Sequence, residues 1–206
     1  RSGDGDAGLS AIVLGVGPGL GSALVEAYAS TGRPVAAVSR SGFETAGATS
    51  FQADLGDPAA VGTVLTRAVD RLGPPDVVHY NASVLVPGTP SQVSLADVEQ
   101  AWRVGCLGAW AALQAAVPLM ESGSAFFVTG GGLALDPWPG AASLASAKAA
   151  LRNFVQAAAK ELTDLRVAMV TVTGVIDKDV SADEIAGTFL ALLEEEHPAV
   201  ETVLPR

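Results

Sequence analysis

The stretch that decides the fold spans residues 11–21 and has the sequence AIVLGVGPGLG. Four apolar residues lead directly into a segment that contains four glycines, and a helical pattern follows over residues 22–29. This order predicts a buried strand, a tight turn and a helix. Glycine lets the backbone turn sharply and approach a ligand closely, and the N–H groups at a helix start favour an anion. The stretch therefore predicts a site for a phosphate or pyrophosphate group.

The spacing of these glycines distinguishes two dinucleotide-binding patterns. In the common G-x-G-x-x-G pattern, Gly15 and Gly17 fit the first two positions, but Leu20 stands at the third. The pattern G-x-x-x-G-x-G is satisfied in full by Gly15, Gly19 and Gly21. A glycine-rich turn without a ligand is the alternative, and it is disfavoured because the turn joins a buried strand to a helix.

Composition limits the class of protein. The chain has 206 residues, of which 49% are hydrophobic and 17% charged, as expected for a globular domain with a sizeable core. No apolar run is long enough to span a membrane, and the net charge of −10 argues against nucleic acid as a partner. The single cysteine, Cys106, excludes an internal disulfide. We expect a cytoplasmic protein in which residues 1–8 form a flexible tail.

Strand and helix patterns alternate along the rest of the chain. Short apolar segments predict strands, and longer segments with helical periodicity predict helices, three of which begin at the N-cap residues Asp57, Ser94 and Ser181. The predicted strands cover residues 11–14, 34–38, 49–52, 76–80, 124–129, 167–172 and 201–204, and the predicted helices cover residues 22–29, 58–72, 94–120, 143–162 and 181–195. We expect one α/β domain over residues 9–206, a doubly wound Rossmann fold whose parallel sheet of about seven strands carries helices on both faces.

Two connections are short for such a fold. After Arg40 there are too few residues for a crossover helix before the third strand, since a parallel connection normally needs a dozen or more. After Ile176 almost nothing precedes the last helix. Either these two connections are short in the protein, or the sequence lacks loop residues there.

The end of the second strand indicates the nucleotide. NAD-binding folds place an acid here that accepts a hydrogen bond from the ribose 2′-hydroxyl, but this chain has Ser39 and Arg40. The guanidinium of Arg40 offers a planar set of donors that suits a 2′-phosphate, and Ser39 adds a hydroxyl. We therefore predict NADP(H) in preference to NAD(H), with an ordinary surface arginine as the alternative.

Further segments make the chain resemble the short-chain dehydrogenase/reductase family over nearly its whole length. The G-x-x-x-G-x-G spacing is the family's own, and Tyr80-Asn81-Ala82-Ser83 stands where relatives carry Asn-Asn-Ala-Gly. The resemblance implies that Asn81 ties strand ends together beside the cofactor ribose. The cofactor-binding residues that it implies, together with those predicted above, are Gly15, Gly17, Gly19, Leu20, Gly21, Ser39, Arg40, Asp54, Leu55, Asn81, Ala82, Lys148, Gly174 and Ile176.

The catalytic positions implied by the resemblance are mostly substituted. Family reductases use a Tyr and a Lys four residues later, together with a Ser and an Asn. Here Lys148 is retained, whereas Leu144, Gly131 and Gly105 stand at the Tyr, Ser and Asn positions. Leucine cannot move a proton, so nearby hydroxyl groups are the candidate substitutes, with Tyr80 and Thr129 foremost beside Ser143 and Ser146.

Three hypotheses remain open at this point. The chain is a divergent NADP(H)-dependent oxidoreductase that acts on a carbonyl or alcohol, a cofactor-binding or scaffold protein without catalysis, or a protein without cofactor in which Lys148 is an ordinary helix lysine. No metal site is predicted, and His79, which lies on an apolar strand, is expected to be a core residue. Apolar residues on more than one stripe of helices 94–120 and 143–162 predict a homodimer or tetramer through these helices.

Overall fold

Seven strands form one parallel sheet, in the order β3-β2-β1-β4-β5-β6-β7. The computed structural model describes residues 9–205, so the predicted tail over residues 1–8 lies outside the described residues. Strands β1, β2, β4 and β5 are buried along their full length, as expected for a parallel sheet covered on both faces. The strands are β1 Ser10–Leu14, β2 Val35–Ser39, β3 Ala48–Gln52, β4 Pro75–Tyr80, β5 Ala125–Thr129, β6 Arg166–Val172 and β7 Glu201–Leu204.

Helices cover both faces of the sheet and create two apolar cores. The α-helices are α1 Leu20–Ser30, α2 Pro58–Leu72, α3 Leu95–Trp102, α4 Gly108–Ala116, α5 Ala142–Glu161 and α6 Ala182–Glu194. Because side chains alternate along a strand, Ile12 and Leu14 enter the core beneath α2, α4 and α5, whereas Ala11 and Val13 enter the core beneath α1 and α6. The predicted doubly wound α/β fold is confirmed. Within residues 9–205, no helix combines the length and apolar character that crossing a membrane requires.

The predicted single helix over residues 94–120 is wrong in its middle. After α3 the chain makes a π-helical turn, Arg103–Leu107, before α4 begins, and a 3₁₀ turn, Val117–Leu119, ends the segment. The Tyr80 hydroxyl donates a hydrogen bond to the Val104 carbonyl at 2.5 Å, inside this turn. A Cβ added to Gly108 would lie only 2.2 Å from the Tyr80 hydroxyl oxygen. The segment thus lies so close to β4 that it accommodates the tyrosine by widening one turn.

The short connection between β2 and β3 contains no helix. Residues 40–47 run back along the sheet as an extended loop, which suffices because an extended residue spans about 3.3 Å. The Phe43 N–H donates to the Ser39 hydroxyl oxygen at 2.6 Å, and the ring of Phe43 packs against the core beneath α1 and α6. One aromatic side chain therefore covers the part of the sheet that a crossover helix normally covers.

Candidate functional site

A cleft of about 1300 Å³ opens where the strands β1, β4, β5 and β6 end. This is the edge at which open parallel sheets bind their ligands. The cleft brings together residues from four separate loops and from α5. Of the predicted site residues, those that line it are Gly15, Gly17, Gly19, Leu20, Gly21, Asn81, Thr129, Lys148, Gly174 and Ile176.

The glycine-rich loop between β1 and α1 follows the G-x-x-x-G-x-G pattern in its steric constraints. Gly15 has a φ of 102°, and a Cβ there would lie 2.6 Å from the Ala82 amide nitrogen. A Cβ at Gly21 would lie 2.9 Å from the Val16 Cα. A Cβ at Gly17, in contrast, would have no atom within 4 Å. The close approaches therefore require glycine at the first and last positions of that pattern, and Gly17 is free to face a ligand.

The start of α1 is a candidate anion site. Among the described residues, the N–H groups of Leu20 and Gly21 have no main-chain acceptor, and both residues line the cleft. Asp177 stands opposite, because a Cβ at Gly19 would lie 3.7 Å from its Oδ2 atom. Asp177 has a φ of 63°, and its Oδ1 accepts a hydrogen bond from the Ala182 N–H. The short loop before α6 thus holds one carboxylate beside the glycine loop.

Asn81 joins the ends of two neighbouring strands. Its side-chain amide donates to the Gly15 carbonyl at 2.9 Å, and its main-chain N–H donates to the Leu14 carbonyl at 2.8 Å. These two bonds fix the end of β4 against the end of β1 at the glycine loop. The structure thus places Asn81 in the tying position that the resemblance implied.

The predicted residues on the β2 and β3 side lie outside the cleft wall. Arg40 is exposed at the end of β2, while the Ser39 oxygen accepts the Phe43 N–H and is engaged in closing its own loop. Asp54 is exposed, with Oδ1 accepting from the Gly56 N–H at 2.9 Å, and Leu55 is buried. Of the two residues predicted to contact a 2′-phosphate, Arg40 is therefore the one whose polar group is exposed to solvent, whereas Ser39 is buried.

Lys148 and Thr129 meet at the other side of the cleft. The Lys148 ammonium donates to the Thr129 carbonyl at 2.8 Å, and only 7% of the residue is exposed. Burial lowers the pKa of Lys148 from 10.5 to about 8. An ammonium group has three donors, and one bond to Thr129 leaves donors for a ligand in the cleft. The pKa of this buried lysine thus lies close to physiological pH, so the group can both hold and release a proton.

The substituted catalytic positions surround Lys148. Leu144 lies one helical turn before it on α5, and both side chains line the cleft. A Cβ at Gly131 would lie 3.6 Å from the Lys148 Cε, an ordinary contact, so a serine side chain fits here. A Cβ at Gly130 would lie 2.7 Å from the Thr171 hydroxyl oxygen. Gly131 is thus the glycine beside the lysine.

Gly105, at the family's Asn position, lies in the π-helical turn, where a Cβ would come within 3.1 Å of the Ala147 Cβ.

Tyr80 is not a candidate proton donor in this structure, contrary to the prediction. The residue is fully buried in the core beneath α2, α4 and α5, and its hydroxyl donates to the Val104 carbonyl. Burial raises the pKa of Tyr80 well above its usual value of 10.0. Tyr80 is not among the residues that line the cleft, because its side chain is enclosed within this core.

His79 is a core residue, as predicted. Its ring is fully buried, with Nδ1 2.9 Å from the Tyr28 hydroxyl oxygen and Nε2 3.0 Å from the Thr129 hydroxyl oxygen. Burial lowers the pKa of His79 to about 3, so the ring is neutral at physiological pH. Across the described residues, no group of three or more potential ligands is arranged to hold a metal ion.

The sequence prediction missed an apolar wall of the cleft. Trp138 is 62% exposed at its rim, with its ring against Gly140, where a Cβ would come within 2.6 Å of it. The signal that could have revealed it is a tryptophan between Pro137 and Pro139 in a loop that directly follows a strand end. The other large apolar residues that line this cleft are Leu20, Leu85, Leu133, Leu135, Leu144, Val172, Val175 and Ile176.

Comparisons with known proteins agree with this architecture. Residues 10–186 match the family model described as short chain dehydrogenase. Versicolorin reductase stcU of Emericella nidulans is 29% identical over 208 residues, an alignment that covers 95% of this chain and 76% of that protein. The 2,3-dihydro-2,3-dihydroxybenzoate dehydrogenase of Bacillus subtilis is 30% identical, with 78% of this chain and 66% of that protein covered.

A solved structure shows the same fold. The short chain dehydrogenase from Burkholderia cenocepacia J2315, in complex with NADP, has a TM-score of 0.88 at 24% identity, covering 95% of this chain and 96% of that chain. The family match extends over most of the chain and includes the glycine-rich loop, Asn81 and Lys148. This chain therefore belongs to the short-chain dehydrogenase family.

Proposed function

We propose that this protein is an NADP(H)-dependent oxidoreductase that acts on a carbonyl or alcohol group. The observation that carries the proposal is one cleft in which the glycine loop at the start of α1 and the buried ammonium of Lys148 face the same space. The relatives support it, since two are named as a reductase and a dehydrogenase, and a protein of the same fold holds NADP.

The preference for NADP(H) over NAD(H) rests on Arg40. A 2′-phosphate at the end of β2 would gain a charge-assisted hydrogen bond from this exposed guanidinium. A ribose 2′-hydroxyl would find no carboxylate at the end of β2, where Ser39 and Arg40 stand. The exposed Asp54 at the end of β3 lies on the same side and is proposed to face the adenine.

The residues present fit a dinucleotide. The close approaches at Gly15 and Gly21 leave a cradle without side chains, and the N–H groups of Leu20 and Gly21 supply donors for a pyrophosphate. When bound, the cofactor exchanges a hydride with the substrate. Lys148 would hold the nicotinamide ribose through its remaining donors. With its pKa near 8, Lys148 is also the proposed source of the proton that a reduced carbonyl oxygen takes up.

The substrate end of the cleft indicates an apolar partner. Trp138, Leu135 and Leu85 are 62%, 45% and 58% exposed around it, and Leu144 places an aliphatic side chain where relatives carry a tyrosine. An exposed apolar surface in a cleft favours ligands with rings or long hydrocarbon segments. We propose that the carbonyl group is attached to such a body.

A second candidate function is cofactor binding without turnover. Leu144 at the tyrosine position favours it, together with the burial of the Tyr80 hydroxyl in the core beneath α2, α4 and α5. Loss of a general acid typically slows a reaction by about 10² to 10⁴-fold, so this function and a slow enzyme differ in rate rather than in fold.

The experiment that separates the two functions measures NADPH oxidation with a panel of carbonyl compounds, from acetone to planar aromatic ketones and quinones. A slow rate with the apolar compounds supports the enzyme, and no rate with any compound supports the binding protein. Two variants serve as controls, Leu144→Tyr and the double variant Leu144→Tyr/Gly131→Ser. Because the Gly131 position has room for a side chain beside Lys148, the double variant is expected to exceed Leu144→Tyr alone.

For assembly and location we propose a homodimer or tetramer in the cytoplasm. Trp110 on α4 is 46% exposed and stacks on Phe154 of α5, with 4.6 Å between ring centroids. A groove of about 300 Å³ lies beside this pair, between the two helices. A second copy of the chain could cover this surface by placing its own α4 and α5 against it.

A further inference from the structure

A chain of hydrogen bonds crosses the core beneath α1 and ends at the cleft. It runs from the Tyr28 hydroxyl on α1 to His79 on β4 and on to the Thr129 hydroxyl at the end of β5, with spacings of 2.9 and 3.0 Å. Tyr28 and His79 are fully buried, whereas Thr129 is 6% exposed and lines the cleft. The functional assignments above use the Thr129 carbonyl, which accepts from Lys148, and leave this chain of side chains without a role.

The single N–H of a neutral imidazole determines which group donates in each of these two hydrogen bonds. A neutral imidazole has one N–H, so one ring nitrogen donates and the other accepts. Among the described residues, His79 Nδ1 is the only hydrogen-bond partner of the Tyr28 hydroxyl. If Nδ1 carried the proton, the Tyr28 O–H would be a fully buried donor without an acceptor, which is unfavourable. The tyrosine therefore donates to Nδ1, and the proton of His79 sits on Nε2.

The same count leaves one donor at the cleft. With its proton on Nε2, His79 donates to the Thr129 hydroxyl oxygen. The Thr129 O–H must then point elsewhere, and within residues 9–205 no protein acceptor for it is found. Thr129 is the end of the chain that meets the cleft, so this O–H is available to a ligand.

We propose that Tyr28 and His79 are positioning residues that hold the Thr129 hydroxyl as a hydrogen-bond donor to the nicotinamide-nucleoside half of the bound cofactor. This inference rests on the proposed NADP(H) binding. The sheet order decides which half is contacted. The glycine loop after β1 takes the pyrophosphate, Arg40 after β2 lies on one side of it, and Thr129 after β5 lies on the other. The acceptor is an oxygen of the ribose or of the carboxamide.

The first test reads the tautomer directly and needs no cofactor. The chain has two histidines, so the variant His197→Gln leaves His79 as the only imidazole. In the ¹⁵N-labelled variant, the two ring nitrogens are distinguished by their chemical shifts and by their couplings to the ring protons. We expect the proton on Nε2 and an unprotonated Nδ1. A proton on Nδ1 would overturn the proposal, because Thr129 would then donate into the core.

The second test compares two substitutions and two ligands. Thr129→Val keeps the shape but removes the hydroxyl, and Thr129→Ser keeps the hydroxyl. Both NADPH and adenosine 2′,5′-bisphosphate, which lacks the nicotinamide half, are titrated by calorimetry. We expect Thr129→Val to weaken NADPH by about three- to tenfold, the usual range for one hydrogen bond, and to leave the bisphosphate unchanged. Thr129→Ser should stay within about twofold of the wild type for both ligands.

The outcomes distinguish this inference from the proposed function. Equal affinity of wild type and Thr129→Val for NADPH contradicts the inference, and so does an equal loss for both ligands. If the wild type binds the bisphosphate and not NADPH, the assignment to the nicotinamide half is wrong. If it binds neither, NADP(H) binding itself fails and the ligand assignment falls with it, whereas the tautomer is still decided by the first test.

Discussion

Lys148 shows how burial in this fold changes the pKa of a helix lysine. Its stem lies among buried residues of α5, and its ammonium reaches the Thr129 carbonyl at the cleft. Removing a charge from water disfavours it, which is why the pKa falls from 10.5 to about 8. The folded protein therefore loses this charge as pH rises through about 8, while a solvated lysine keeps it to about 10.5.

This titration predicts a pH dependence of cofactor binding. From about pH 7 to about pH 9.5, Lys148 changes from mostly charged to mostly neutral, and NADPH affinity should fall by about tenfold as a charge-assisted hydrogen bond is lost. The cofactor's 2′-phosphate does not interfere, since its second pKa is about 6. Calorimetric titrations across this range check the prediction. In Lys148→Met the affinity should be lower and independent of pH, and a fall as steep as in the wild type would exclude Lys148 as its cause.

Under the proposed function, Arg40 selects the nucleotide. Arg40→Ala should weaken NADPH by about 1.5–3 kcal/mol, the range for hydrogen bonds to charged groups, and leave NADH nearly unchanged. Arg71→Ala is a matched control, because it removes the same charge from an exposed position on α2. Fluorescence titrations with both cofactors measure the effect. Equal losses for NADPH and NADH in Arg40→Ala would be incompatible with a 2′-phosphate contact.

At the scale of elements, Tyr80 links β4 to the turn between α3 and α4. Its hydroxyl bonds to the Val104 carbonyl within the π-helical turn, at the place where Gly108 approaches β4 most closely. The turn includes Gly105, which stands at the family's Asn position, so the geometry of this candidate site residue depends on a tyrosine that does not reach the cleft. The role of Tyr80 is therefore structural.

Tyr80→Phe tests this structural role. The substitution removes the hydrogen bond to the half-buried Val104 carbonyl, so the free energy of unfolding should fall by about 0.5–1.5 kcal/mol. Urea denaturation followed by circular dichroism measures it. Affinity for NADPH should stay within about twofold of the wild type, because the hydroxyl is enclosed in the core and does not line the cleft. Unchanged stability together with lost cofactor binding would instead support a role for Tyr80 in the cleft.

The elements also show what a sequence can and cannot predict. The seven strands, the N-caps at Asp57, Ser94 and Ser181 and the glycine loop follow from local patterns, and the structure confirms them. The π-helical turn could not be predicted, since it arises from a contact between β4 and a segment that lies 24 residues later. The direction of the Tyr80 side chain is a tertiary property of the same kind. The apolar wall around Trp138 could not be predicted, because its residues belong to separate segments of the chain that become neighbours only in the folded sheet.

In the whole molecule, two separate surfaces expose large apolar residues. One surrounds the cleft, with Trp138 and Leu85, and the other is the groove between α4 and α5, with Trp110. No residue that lines this groove also lines the cleft, so a ligand in the cleft does not account for it. Apolar surface of this kind on a folded chain favours association.

Trp110→Glu should separate the proposed dimer into single chains. Trp110 is a better site than Phe154, which is only 6% exposed and packs within its own chain. Sedimentation velocity at micromolar concentration should give a dimer or tetramer for the wild type and a species near 20.7 kDa for the variant. Trp138→Glu, at an exposed tryptophan on the cleft, should leave assembly unchanged. A wild-type chain that sediments near 20.7 kDa would rule the association out.

We propose that the cleft beside the glycine loop holds NADP(H), and a calorimetric titration with NADPH measures this binding without relying on turnover. Gly17 offers a sharp control, because its position is open and any side chain there faces the ligand. We expect saturable binding of one NADPH per chain, retained in Gly17→Ala and lost in Gly17→Asp, whose carboxylate would oppose the pyrophosphate. Absence of binding by the wild type, or equal binding by Gly17→Ala and Gly17→Asp, would contradict it.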